Sequence, residues 1–343
     1  MSINKNSSYN IPIVFIVTRG RSGSTLIQNI LDSHPNIYAP NEADFILFLK
    51  KKYANEKNWT HKTKLSFIKD LYVCEKFKRL WEVDKSKITR LFLKSELNSF
   101  SEACKLVYLS YNSVYQKEEA LAIIDKLPRH SRYIPDLIKL YPNAKFIHLI
   151  RDPRAVVNSI KKSFNKNNIP RIAQTWVNAN KKIDESKNKQ YFLTVKFEDF
   201  LLNPDKELKR IFNFIEIPYT FSLIDAYKVI EKTHENHPVF GREIHQNISK
   251  KIDPSVSSQW KTQLSEKEIN QINYLTADYA IKYEYNISKP KLKNSEILEI
   301  NKKSQKKTLK NLTGKYYELP IPLRKFVLML VKAQRTIAKI IKH

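Results

Sequence analysis

Glycine is scarce in this chain. Four occur in 343 residues, at Gly20, Gly23, Gly241 and Gly314. Two of them stand three residues apart, which marks a place where the backbone must turn tightly or come close to a ligand. Cysteine is scarcer still. Cys74 and Cys104 alone exclude a disulfide scaffold and a cysteine-rich zinc module, and they fit a reduced, cytoplasmic chain. No apolar run approaches the roughly 18 residues that a membrane span needs. The start of the chain is polar, so no secretory leader is expected. Acid is also in deficit, with 34 Asp and Glu against 61 Lys and Arg, a formal net charge of +27. That excess suits anionic ligands, nucleic acid or acidic membrane. The chain is rich in Lys, Asn and Ile throughout, so charge does not choose among them.

What is present is a core-forming chain, 42% hydrophobic and 11% aromatic. Ile11–Thr18 is an unbroken β-branched and aromatic run, the pattern of a buried parallel strand. A glycine loop follows, and then Leu26, Ile27, Ile30 and Leu31 at helical spacing as far as Asp32-Ser33-His34-Pro35. Residues 55–118 read as helical, with Trp59, Phe67, Trp81 and Phe92 in the core. Further strands are expected at Ala120–Ile124, Lys145–Ile150 and Tyr191–Phe197. Helices are expected over Ser131–Tyr141, after Arg151-Asp152-Pro153-Arg154, and over 171–186, 199–215 and 264–285. Residues 216–262 read as irregular and polar, which suits a lid or a substrate loop. Strands alternating with helices predict a parallel sheet covered on both faces, with ligands at the carboxyl ends of its strands. Arg21, Lys126 and Arg151 all fall just after predicted strands.

Two motifs carry chemistry. In Gly20-Arg21-Ser22-Gly23-Ser24-Thr25, small residues at a helix start expose backbone N–H groups to an anion. Two hydroxyls and a forked guanidinium add further donors. The nucleotide-triphosphatase loop G-x-x-x-x-G-K-[ST] is not matched, because Thr18 stands at its first glycine and Ser24 at its lysine. A nucleotide kinase with a degenerate loop therefore remains only as an alternative. The second motif lies in Lys145–Ser159, where Arg151 ends a strand and Ser159 lies eight residues on. Such a pair can hold one phosphate from two sides.

Together these segments resemble the sulfotransferases that use 3′-phosphoadenosine 5′-phosphosulfate (PAPS). The first loop is similar to the family's 5′-phosphosulfate loop and the second to its 3′-phosphate segment, and the resemblance runs over roughly residues 11–285. It implies a P-loop-like three-layer α/β fold, with a central parallel sheet and helices on both faces. Ser22, Gly23, Ser24 and Thr25 would hold the 5′-phosphate, with Arg21 at the leaving group. Arg151 and Ser159 would hold the 3′-phosphate, and no metal would be needed. Lys126, in DKLP, would neutralise the transferring group. Arg21–Phe45 is similar to tyrosylprotein and related carbohydrate sulfotransferases, and the family's catalytic glutamate falls at Glu42. Asp32, His34 and Asp44 are the other candidate bases. A glycine, an acid and an arginine near that glutamate in the family are missing here. Their absence leaves tyrosine as acceptor unsupported, and the breadth of the family, not any residue, makes a glycan or glycolipid hydroxyl the expected acceptor, with tyrosine as the alternative. Phe197 in YFLTVKFEDFLLNP would approach the adenine, and Ser258 in the late Ser-Gln-Trp-Lys segment would touch a phosphate.

Residues 1–287 then form the sulfotransferase domain, and 288–343 a basic, partly helical tail. Leu323–His343 alternates apolar and basic positions at helical spacing, which suits an anionic membrane surface. Aromatic and basic residues do not interleave as in any nucleic-acid module, so nucleic acid is not an expected partner.

Overall fold

The computed structural model describes residues 10–187, 191–219, 252–305 and 316–324, with isolated positions in 222–228 and 326–329. In chain order its larger elements are β1 (Ile13–Thr18), α1 (Ser24–Ser33), β2 (Ile37–Tyr38), α2 (Phe45–Tyr53), α3 (His61–Leu71), α4 (Glu75–Leu80), α5 (Lys85–Lys94) and α6 (Phe100–Leu109). Then come β3 (Ala122–Lys126), α7 (Ile134–Leu140), β4 (Lys145–Ile150), α8 (Pro153–Phe164), α9 (Ile169–Glu185), β5 (Phe192–Lys196), α10 (Phe197–Leu202) and α11 (Pro204–Ile215). The last are α12 (Trp260–Gln263), α13 (Glu266–Ala280) and α14 (Asn294–Gln305). They group into two compact units.

The first unit is built from Asn10–Pro40 and Ser113–Lys306 and holds the whole sheet. Its strands run in the order β2-β3-β1-β4-β5, every pair parallel. The central strand β1 is buried along its full length, because side chains on both of its faces meet apolar partners. Val14 and Ile16 share one core with Ile27 and Leu31 of α1 and Leu208 and Phe212 of α11. Phe15 points the other way and stacks on Phe146, 5.5 Å between ring centroids. Across the start of α8, Val156 and Val157 join Trp176 of α9 and Ile272 of α13 in a second core.

Several elements depart from the sequence reading. β3 extends to Lys126, so Asp125 and Lys126 belong to the strand instead of breaking it. Both are buried, and Asp125 Oδ2 lies 2.6 Å from His130 Nε2, so the strand end is polar without being exposed. β2 is two residues long and offers no periodicity to read. The helix expected over 199–215 is two helices, because Pro204 starts a new one after Asn203. Most of the irregular stretch 216–262 lies outside the described residues.

The second unit comprises Met1–Tyr9, Asn41–Asn112 and Lys307–His343. Side-chain caps from Thr60, Asp84 and Ser99 start three of its helices. Its core is aromatic, with Phe45, Phe67, Phe77, Trp81, Phe92, Phe100 and Tyr108 buried, and Phe67 stacked on Phe92 at 5.4 Å. Most of Leu323–His343 lies outside the described residues. One cation of its expected polar face, Arg324, is instead buried and donates to the carbonyl oxygens of Phe48, Leu319 and Tyr317.

Candidate functional site

At the end of β1, Thr18 Oγ1 donates to the Leu149 carbonyl at 2.6 Å and ties the strand to β4. The backbone then enters the left-handed region twice, at Arg21 (φ 75°) and Gly23 (φ 87°). Ser22 is buried, and its hydroxyl donates to the Arg19 carbonyl at 2.6 Å, closing the turn. No side chain fits at position 23, where a Cβ would lie 2.0 Å from the Phe197 ring. Helix α1 starts at Ser24 with no side-chain cap and no acid in its first turn, so its positive end is not offset locally. A curled loop feeding an uncapped helix start is an anion seat made of backbone.

Side-chain charge surrounds this seat. Lys126, buried at the end of β3, reaches Thr25 Oγ1 at 3.3 Å. Arg151, 9% exposed at the end of β4, donates to the Arg21 carbonyl at 3.3 Å and the Val256 carbonyl at 2.7 Å. Its guanidinium lies 5.0 Å from the centroid of the Phe197 ring. Its Nε is buried with no hydrogen-bond partner among the described residues. Burial lowers the Arg151 pKa, Glu198 and Asp152 oppose that shift, and the like charge of Arg21 adds to it. Trp176 Nε1 fixes the Arg151 carbonyl at 2.9 Å. The Arg21 side chain turns towards α8, where Nε donates to Ser159 Oγ and a terminal nitrogen to Ser163 Oγ, each at 3.0 Å.

Thus Arg21, Ser22, Gly23, Ser24, Thr25, Lys126, Arg151 and Ser159 cluster at one edge of the sheet. Phe197, expected at the adenine, is buried behind Gly23 and beneath Arg151. Ser258 is exposed and donates to the Ser255 carbonyl. The late segment reaches the cluster instead through the Val256 carbonyl, and Trp260 lies 4.0 Å from the Arg154 guanidinium. Glu42 belongs to the second unit, where it accepts from Lys76 Nζ at 3.2 Å.

The other candidate bases are engaged in holding the fold. Asp32 is buried and accepts from the Ala39 amide and Ser113, each at 2.9 Å, and its Oδ1 lies 3.2 Å from Lys117 Nζ. His34 Nδ1 accepts from the Asn36 amide, and burial lowers its pKa to about 4. Asp44 accepts from Cys74 and Tyr317.

Sequence reasoning gave Glu198 no site role; it stands in the first turn of α10. Its carboxylate accepts from the Asp152 amide at 3.0 Å and from Tyr285 at 2.9 Å. Burial raises its pKa. Ser163 was also missed, although it lies one helical turn beyond Ser159 and so on the same face.

A model of the sulfotransferase family matches residues 12–221, more than half of the chain. The chain belongs to that family. It is 24% identical over 268 residues to a protein-tyrosine sulfotransferase of Drosophila melanogaster, covering 75% of this chain and 49% of that protein. It is 26% identical to protein-tyrosine sulfotransferase A of Caenorhabditis elegans, covering 67% of this chain and 57% of that one. The chain thus spans about half of the length of these relatives. The solved sulfotransferase domain of the Synechococcus PCC 7002 olefin synthase shares the fold, with a TM-score of 0.56 at 21% identity over 81% of this chain and 96% of that domain.

These relatives bear on two expectations. They modify protein tyrosines by name, which gives the glycan acceptor no support. Kinship with protein-tyrosine sulfotransferases also overturns the cytoplasmic location. Both cysteines are buried in the fold, and buried thiols do not report a compartment. Among the described residues no helix is long and apolar enough to cross a membrane.

Proposed function

We propose that the protein is a PAPS-dependent sulfotransferase acting on the phenolic hydroxyl of tyrosine in a protein. The observation that carries this reading is the pair of anion sites at one sheet edge. One is built from the backbone of residues 20–25, and the other from Arg151 and Ser159. A nucleotide with phosphates at both its 5′ and 3′ positions would use both. The residues fit such a ligand. Arg151 has a buried Nε with no partner among the described residues, and the loop curls through two left-handed residues into a helix start without a side-chain cap.

PAPS supplies the sulfuryl group and a phosphate leaving group. Ser22, Gly23, Ser24 and Thr25 hold the 5′-phosphate through amides and hydroxyls, while Arg151 and Ser159 hold the 3′-phosphate. Lys126, beside Thr25, meets the charge that grows on the bridging oxygen as the old S–O bond breaks. Glu42 takes the acceptor proton as the new S–O bond forms, a role supported by its position in the family pattern. A phenol, with an ordinary pKa of about 10, is easier for a carboxylate to deprotonate than a sugar alcohol.

The test is transfer of labelled sulfuryl from PAPS to a tyrosine-containing peptide, to the same peptide with Tyr→Phe, and to glycans. Label on the tyrosine peptide alone supports the reading, whereas label on a glycan but not on tyrosine overturns it. Glu42→Gln should keep affinity for the product nucleotide, 3′-phosphoadenosine 5′-phosphate (PAP), and slow transfer by about 10²-fold or more. Near-normal turnover would move the base elsewhere.

A further inference from the structure

The second unit presents a face that the transfer chemistry does not use. Residues 321–324 are helical, as are 326, 327 and 329. On one side of this helical segment Ile321 and Arg324 are buried. On the other, Leu323, Phe326 and Met329 are 52%, 56% and 67% exposed. Residues three apart are neighbours on a helix, so the three make one apolar stripe. A lone exposed leucine is ordinary, whereas a contiguous apolar strip on a surface marks an interaction site.

Cations border the stripe. The chain leading into it lines a groove of about 490 Å³. There Leu319, Ile321 and Pro322 share the lining with Lys51 and Lys52 of α2 and Lys69 of α3. Asp70 is the one carboxylate among the described residues of that lining, and Lys52 Nζ and the Tyr53 hydroxyl both donate to it at 2.7 Å. With Arg324, four cations stand against one acid. On α3, Lys69 shares an exposed face with Leu65 and Lys62. Residues 325–343 add five Lys or Arg and no Asp or Glu. Apolar side chains edged by ammonium groups match the boundary of a bilayer with acidic headgroups, where the stripe meets acyl chains and the lysines meet phosphates. A soluble polyanion would use the lysines and leave the stripe in water.

We propose that this face docks on an anionic membrane surface, with Leu323, Phe326 and Met329 entering the headgroup boundary and Lys51 and Lys69 facing acidic lipids. The docking is peripheral, and it does not rest on the sulfotransferase reading.

Co-sedimentation of the full chain with vesicles tests it, using phosphatidylcholine alone and phosphatidylcholine mixed with phosphatidylserine, at low and at high salt. If the inference holds, the chain sediments with the mixed vesicles at low salt, stays in solution with phosphatidylcholine alone, and is released as salt screens the lysines. Leu323→Glu with Phe326→Glu, and separately Lys51→Glu with Lys69→Glu, should each lower the vesicle-bound fraction by about tenfold or more. All four side chains are exposed, so both variants should keep the wild-type melting temperature. Should either melt lower, Leu323→Ser with Phe326→Ser and Lys51→Gln with Lys69→Gln carry the same comparison. Equal sedimentation with both vesicle types, or none with either, overturns the inference. Binding that withstands the apolar exchanges assigns the face to a soluble polyanion such as an acidic peptide, and binding that withstands lysine reversal removes the charge argument; each overturns it too.

Discussion

The two proposed phosphate sites at the sheet edge are made of different material. The 20–25 loop is a backbone site. Its donors are amides, its shape comes from two left-handed residues, and the Phe197 ring closes it from behind. The site at the end of β4 is a side-chain site. It depends on a buried arginine whose carbonyl is pinned by Trp176 and whose neighbouring turn is held by Glu198. The difference teaches where each is vulnerable. A backbone site fails when atoms are added, and a side-chain site fails when charge is removed.

The largest effect should come from adding atoms. Gly23→Ala places a Cβ against Phe197 and forces an L-residue to φ 87°. It should abolish binding of PAP and AMP alike and lower the melting temperature. Left-handed strain costs of order 1–3 kcal/mol before any clash is counted. Intact binding in this variant would show that the loop is not the 5′ seat.

Removing charge should act on one nucleotide only. Arg151→Ala should weaken PAP by about tenfold or more and leave AMP nearly unchanged, measured by calorimetric titration. Equal loss for both would erase the distinction between the sites.

Acid should act on both sites together and least selectively. His148, buried in β4 against Asn180, and His34, after α1, each have a pKa lowered to about 4, chiefly by burial. A lowered folded-state pKa means that the unfolded chain binds more protons between about 6.5 and 4. Stability is therefore complete above about pH 6.5 and declines as pH falls towards 4. Urea unfolding across that window should show the decline, and His148→Gln should flatten it. A flat profile in the wild type would show that neither histidine titrates with unfolding.

Much of this arrangement was legible in the amino-acid sequence. β1 and β4 are nearly continuous apolar runs because central parallel strands are buried on both faces, and β5, at the sheet edge, still carries enough β-branched and aromatic residues to be read. The loops after β1 and β4 carry their chemistry in consecutive residues. β3 was misplaced because Asp125 and Lys126 look like a break. Only the fold shows that His130 and Thr25 receive them. Glu198 went unassigned for a related reason. An acid at the start of a helix is commonplace, and its partners Asp152 and Tyr285 lie 46 and 87 residues away. The guanidinium of Arg21 could not be placed from sequence at all, since its position depends on a serine face 138 residues further along the chain.

The central claim is that one nucleotide is held by two separate phosphate sites. It is tested most directly by titrating the unmodified chain with PAP and with AMP under identical salt and pH. The account predicts that PAP binds at least about tenfold more tightly, since the 3′-phosphate adds charge-assisted contacts worth roughly 1.5–3 kcal/mol. Equal affinities would contradict it.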